Sequence, residues 1–265
     1  MISDSPGARF LAGLVLSALI AIVARWRRTL SPSGTFAAIS VATACSAAGW
    51  SWAWILIAFF VSSTILSKAG EASKRERTGD VVEKGGERDV WQVLGNGGAF
   101  AAIAVSSLIW PASIWHAAAA GAIASSTADT WSTEIGTLSR SAPRSIISGI
   151  NVAPGVSGGV TLIGTIAQVF GAVFVSAIVY AFGWGDRAVL AAIVGGIGGS
   201  LIDSVLGATI QGTRWCEHCR RGTERAVHTC GTLTVHSKGF AWLGNDLVNF
   251  LSSIGGAMLG LLCLL

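Results

Sequence analysis

The sequence predicts an all-α protein: a polytopic transmembrane helix bundle of about eight spans, one domain over residues 1–265 with a Cys/His loop at 211–240. Three observations predict it. Hydrophobic residues make up 52% and charged residues 12% of the chain, against about 25% charged in soluble domains. Several uncharged runs approach the roughly 20 residues that cross a bilayer as a helix. The basic residues, finally, collect in alternate loops: 16 of the 18 Lys and Arg fall in the groups Arg25–Arg28, Lys68–Arg88, Arg140–Arg144 and Arg214–Lys238. Only Arg9 and Arg187 lie on the other side. Positively charged loops stay in the cytoplasm, so the long polar loops are expected there and both termini outside. That bias also accounts for the basic composition, and no nucleic-acid partner is implied.

The apolar segments are 10–24, 34–48, 51–67, 92–110, 112–128, 159–182, 187–209 and 242–264. Seven spans with one re-entrant segment is the alternative count. The first segment has its basic cluster after it, the reverse of a signal peptide. The second and third form a tight hairpin at Gly49, where Trp50, Trp52 and Trp54 suit an interfacial aromatic belt. In the loop 68–91, Gly79 and Gly85-Gly86 break a continuous helix. A helix starting near Lys84 would put Lys84, Arg88, Gln92 and Asn96 on one face and carry polar groups into the fourth span. Trp110-Pro111-Ala112 turns the chain, and His116 near that turn reads as structural.

The fifth segment is almost pure Ala, Gly and Ser, which permits close helix approach. It is expected to end at Asp129, with Glu134 five residues on, off the face that Asp129 shares with Thr133. Those two carboxylates can share a metal only if the helix ends or bends between them. Arg140 and Arg144 follow, and then Ser157-Gly158-Gly159 opens the sixth segment. Ser157 there reads as a helix cap whose free N–H groups could meet an anion. Asp203 lies inside the seventh segment among glycines. A carboxylate in an apolar run persists only with a partner, a metal or a proton role. Asp246 and Asn249, at i and i+3, open the last span on one face.

Cys216, Cys219, His228 and Cys230 stand in a short polar loop. The Cys-x2-Cys spacing with two further soft ligands suits tetrahedral Zn²⁺ of structural type, since four protein ligands leave no open position. Cys45 and Cys263 lie in apolar segments and read as core.

Hard cations such as Mg²⁺ take oxygen ligands, and arginines grip phosphate in a fork. Asp129 and Asp203, with Glu134 or Asp246, therefore read as catalytic and Mg²⁺-binding. Lys84, Arg88, Asn96, Arg144, Ser157, Gly158, Asp246 and Asn249 read as substrate- or nucleotide-binding. This is phosphate chemistry at the membrane edge. No Walker A pattern is present. Two other classes remain open. Gly155-x-Ser157-x-Gly159 matches the serine-hydrolase elbow, although His116 is expected at the opposite face. An ion-coupled transporter or scramblase would use Asp203 to carry protons or ions.

The blocks QVLGNGG (92–98), ADTWSTEIG (128–136), PGVSGGV (154–160), GSLIDSVLGATIQ (199–211) and NDLVN (245–249) resemble the integral-membrane phytyl-phosphate kinase family. More distantly, the chain resembles CTP-dependent phytol and dolichol kinases. The resemblance implies phosphorylation of a prenyl monophosphate, such as phytyl phosphate, to the diphosphate. It implies a nucleoside triphosphate, CTP favoured, together with Mg²⁺. ADTWSTEIG would be the acidic nucleotide–metal segment. The family's KGGRRD-like run stands here as EKGGERD, with Glu87 where a basic residue is common. The implied partners are the nucleotide, a prenyl phosphate lipid and the bilayer, with the active site on the cytoplasmic side of a bacterial-type plasma membrane. Oligomeric state is left open.

Overall fold

The computed structural model describes residues 5–265. Its long helices are α1 (Pro6–Trp26), α2 (Pro32–Ala48), α3 (Trp50–Lys68), α5 (Val90–Ile109), α6 (Ile114–Gly136), α7 (Leu162–Ala181), α8 (Asp186–Thr209) and α9 (Asn245–Leu262), with a short α4 (Glu71–Thr78) between α3 and α5. Each expected apolar segment thus becomes a long helix. Five of them, α1, α3, α5, α7 and α8, are long and apolar enough to cross a membrane. Helix α2 is 17 residues long, and α6 dilutes its apolar run with Ser, Thr and carboxylates.

Local chemistry sets the helix starts. Ser5 and Ser31 cap α1 and α2, each followed by Pro at the first helical position, where its missing N–H costs nothing. Asp89 and Gln92 form a reciprocal capping box at the start of α5. That cap starts the helix after Lys84 and Arg88, so the expected stripe from Lys84 to Asn96 is not one helical face. Lys84 and Arg88 sit in the preceding loop.

Helix α6 is the axis. From Ala117 to Ala128 every residue is buried, and α3, α5, α7, α8 and α9 pack around it. Close approach requires glycine where α6, α8 and α9 cross. A Cβ at Gly121 would lie 2.2 Å from the Gly256 carbonyl oxygen, and one at Gly195 would lie 2.4 Å from the same atom. Buried serines tie the layers: Ser125 Oγ donates to Ser252 O at 3.1 Å, and the Ser126 and Ser253 hydroxyls lie 2.7 Å apart. Helix α6 does not end at Asp129 but continues to Gly136, through both carboxylates. It is uninterrupted between Asp129 and Glu134, and the two carboxylates have different surroundings.

The remaining loops carry small sheets. Strands β1 (Arg144–Ser145) and β2 (Gly159–Val160) pair antiparallel. Strands β3 (Thr213–Cys216), β4 (Arg221–Thr223) and β5 (Val235–Lys238) make a three-stranded sheet in the order β4-β3-β5. Because β2 intervenes, α7 begins at Leu162, and its N-cap is Thr161. Ser157 is thus not a helix cap.

Candidate functional site

One cavity of about 1540 Å³ opens among the loop-bearing ends of the helices. The C-terminal ends of α3, α6 and α8 and the N-terminal ends of α5 and α9 meet there. Asp129, Glu134, Asp203, Asp246, Asn249, Lys84, Arg88, Asn96, Ser157 and Gly158 all line it. Arg144 does not: it lies exposed on β1, outside the lining. The hairpin it belongs to is held by its own backbone, with Ser145 N donating to Ile150 O at 2.9 Å and Val152 N to Pro143 O at 2.9 Å.

The carboxylates divide by partner. Asp129, on α6, is within Coulombic reach of Asp203 on α8, and both are half-buried. Asp203 Oδ2 accepts one hydrogen bond, from Ser252 Oγ at 3.1 Å. Among the described residues neither aspartate has a salt-bridge partner, unlike their neighbours. Two adjacent carboxylates without a basic side chain fit a cation with oxygen ligands. Asp246 Oδ2 instead receives Lys84 Nζ at 2.5 Å, and the same ammonium lies 2.8 Å from Asp89 Oδ2. Burial pulls the Lys84 ammonium down, but Asp246 and Asp89 outweigh it and leave its pKa above the ordinary value.

Glu134 belongs to another group. Lys74 Nζ reaches its Oε2 at 2.6 Å, and the Ser67 hydroxyl donates to Oε1. Arg88 adjoins this group, with Nη2 donating to Ser67 Oγ at 3.3 Å and Nη1 to Thr64 Oγ1 at 3.4 Å. Its guanidinium lies over the Phe60 ring, 5.7 Å from the centroid. Glu134 therefore positions Lys74 and, through Ser67, Arg88, rather than joining the aspartate pair.

Ser157 sits in a turn pressed on the end of α8. Gly158 has φ +76°, and a Cβ there would lie 2.7 Å from Ala208 N. The turn aims Ser157 Oγ at Glu224 Oε1, to which it donates at 2.5 Å; Gln211 Nε2 donates to the same oxygen at 2.8 Å. No histidine hydrogen-bonds Ser157 among the described residues. His116 instead stacks on Trp184 with centroids 4.6 Å apart, in the aromatic cluster with Trp52.

Glu224 is a candidate site residue that the sequence did not mark out. It lines the cavity, and it is half-buried. Burial pushes its carboxyl up; the Ser157 and Gln211 hydrogen bonds oppose this, Glu83 and Asp246 reinforce it, and the net shift is upward. In sequence it is one acid in a polar Cys/His loop, with nothing to mark it. Gln211, inside the block 199–211, did carry a signal.

The Cys/His loop explains how Glu224 gets there. The ligand atoms of Cys216, Cys219, His228 and Cys230 all lie within 4.8 Å of one another. Cys219 lies in the β3–β4 turn, and its N–H points at Cys216 Sγ, 3.5 Å away. His228 is buried, and its Nε2 has no hydrogen-bond partner among the described residues. The cluster can hold a metal ion. Beside it, Thr223 Oγ1 donates to Asp80 O, Glu224 N to Val81 O and Arg225 Nε to Gly79 O, each at 2.8 Å. The loop is thereby docked on the segment after α4, with Glu224 turned into the cavity.

Fold and site together define a class: a multi-pass helical membrane protein with a carboxylate-rich cavity, flanked by basic side chains, at one end of the bundle. Residues 15–257 match the family described as integral membrane protein DUF92, and the chain belongs to that family. It is 33% identical over 274 residues to Protein PGR of Arabidopsis thaliana, an alignment covering 94% of this chain and 93% of that protein. It is 30% identical over 217 residues to the uncharacterized membrane protein MJ0933 of Methanocaldococcus jannaschii, covering 81% and 76% respectively. No solved structure matches. The family agrees with the resemblance carried by the sequence blocks; neither relative's description states a reaction.

Proposed function

We propose that the protein is a membrane-embedded phosphotransferase that converts a prenyl monophosphate, phytyl phosphate being one example, to the diphosphate. A nucleoside triphosphate, CTP favoured, is the donor, and the reaction faces the cytoplasm. The observation that carries this reading is the pairing, in one cavity, of unneutralised Asp129 and Asp203 with the basic groups Lys84, Arg88 and Lys74. Phosphoryl transfer needs positioning and charge neutralisation more than a covalent nucleophile.

Asp129 and Asp203 are the residues that would hold Mg²⁺, which when bound neutralises phosphate oxygens and aligns them. Arg88 and Lys84 neutralise the remaining phosphate charge. Asn96 and Asn249 offer amide groups to the nucleotide. An oxygen of the lipid phosphate attacks the γ-phosphorus. The new P–O bond forms as the bond from that phosphorus to the β,γ-bridging oxygen breaks, and the nucleoside diphosphate leaves with the electron pair. A phosphate monoester has its second pKa at about 6, so no general base has to remove a proton near neutrality. Ser157 then needs no activating histidine, in keeping with its partners Glu224 and Gln211. The Cys/His cluster is proposed to hold structural Zn²⁺, because four protein ligands leave no open coordination position.

The test is transfer from labelled nucleoside triphosphates to a prenyl monophosphate by the purified protein in lipid nanodiscs. Mg²⁺-dependent formation of labelled prenyl diphosphate is expected, with CTP the best donor. Absence of transfer from every common nucleoside triphosphate would overturn the proposal.

A further inference from the structure

The cavity does not stop at the charged groups. It continues up the bundle as a groove walled by α1 and α3, with α2 as its floor. Helix α1 packs principally against α2, and α3 packs mainly against α2 and α6, while Phe60 and Lys68 bring α3 to α1 near the foot of the groove. Leu16 and Ile20 line one wall, Trp54, Ile57 and Phe60 the other, and Val41 the floor. Both walls are helices long and apolar enough to span a membrane. The open side between them therefore faces hydrocarbon.

From Trp50 to Thr64 the α3 wall is about 21 Å long at 1.5 Å per residue. At its foot, Phe60 reaches the cluster of Ala24 and Leu30 and narrows the groove. The Arg88 guanidinium lies over that same ring and reaches Thr64 and Ser67 beyond it. An apolar slot thus runs for most of a bilayer's hydrocarbon thickness and ends under a cation.

We infer that this groove is the acceptor's binding site and its way in. The tail of an anionic lipid slides between α1 and α3 directly from the bilayer, and its phosphate comes to rest at Arg88. The inference deepens the proposed reaction and rests on it for the identity of the head group. Charge selects the occupant. A cation at the foot of a membrane-facing groove complements an anionic head, and a neutral lipid would leave Arg88 without one. Entry from the side keeps the whole chain out of water, so every methylene stays in an apolar environment. Phe60 marks the boundary between tail and head: it lines the groove, and its ring carries the Arg88 guanidinium.

The experiment uses the full chain in nanodiscs and a prenyl monophosphate bearing a diazirine at the tail end, without nucleotide. Light-induced labelling is expected on α1 and α3 near Leu16, Ile20, Trp54 and Ile57. Unlabelled prenyl monophosphate should compete, and the parent alcohol should not. Filling the slot with Leu16→Trp or Ile57→Trp should lower the labelling roughly tenfold with the protein still folded; Phe170→Trp, on the outward face of α7, serves as the control. Labelling spread over the outer faces of α7 and α8, or labelling indifferent to the phosphate, would overturn the inference. Because no nucleotide is present, the two ideas separate. Tail labelling in the groove by a protein without phosphotransfer sinks the reaction alone. Phosphotransfer with the tail labelled elsewhere sinks the groove alone.

Discussion

Among the described residues, Asp129 and Asp203 differ from Glu134 and Asp246 in having no ammonium or guanidinium paired with them. Replacing either with Asn keeps the shape and removes one charge from the pair. Both substitutions should lower Mg²⁺-dependent transfer by about 10²-fold or more, the scale seen when a group stabilising reaction charge is lost. Near-normal rates in both would remove them from the site. Glu224→Gln is a sharper test, because a glutamine oxygen can still accept from Ser157 and Gln211. If the charge is used, transfer should fall about tenfold with thermal stability nearly unchanged; an unchanged rate would make Glu224 a scaffold for the Ser157 turn. Lys84 is testable through pH. Its folded-state pKa lies above the ordinary value of 10.5, so the link to Asp246 and Asp89 stabilises below that pH and is lost as pH rises through the raised pKa. Proteolysis of the 79–89 loop should therefore accelerate only in strong alkali. Lys84→Met should show that accelerated cleavage already at neutral pH.

At the scale of elements, much was legible and the misses have local causes. Apolar runs located every long helix, because only a helix satisfies its own backbone in a membrane. The Ala, Gly and Ser content of residues 112–128 marked α6 as a close-packing helix, and it is the bundle's axis. Two expectations failed where a cap set the helix start later in the chain. Asp89 and Gln92 start α5 later than the stripe of Lys84, Arg88, Gln92 and Asn96 suggests. Thr161, rather than Ser157, caps α7, because Gly158 adopts a left-handed turn against α8. The cavity gathers most of the expected site residues from loop and helix alike; Arg144, placed by charge alone, lies outside its lining. The crossing of α6, α8 and α9 carries its own prediction. In Gly195→Val a Cβ would lie 2.4 Å from Gly256 O and 2.6 Å from Gly121 Cα, both backbone atoms. The helices would have to separate, at a cost of at least about 1–3 kcal/mol. The melting temperature should drop clearly, while Gly7→Ala, with open space around it, should leave it unchanged.

For the whole molecule, the Cys/His loop is the piece that connects distant parts of the chain. It is polar and has little apolar surface to pack, so a bound metal is its natural source of folding energy. It lies between α8, which carries Asp203, and α9, which carries Asp246. Through Thr223, Glu224 and Arg225 it also clamps the segment after α4. The Cys/His cluster was legible from its spacing but this clamp was not, because hydrogen bonds to backbone carbonyls at Gly79, Asp80 and Val81 leave no mark on residue type. Zinc would thus act on the reaction at a distance, by fixing Glu224 and the Ser157 turn rather than by touching phosphate. About one zinc per chain is expected by elemental analysis, and a Cys216→Ser/Cys219→Ser variant should lose it. Chelation should expose residues 213–240 to protease before the helices unfold, and activity should fall with that exposure. Metal-free protein that keeps a protease-resistant loop and full activity would show that the sheet β4-β3-β5 holds Glu224 by itself.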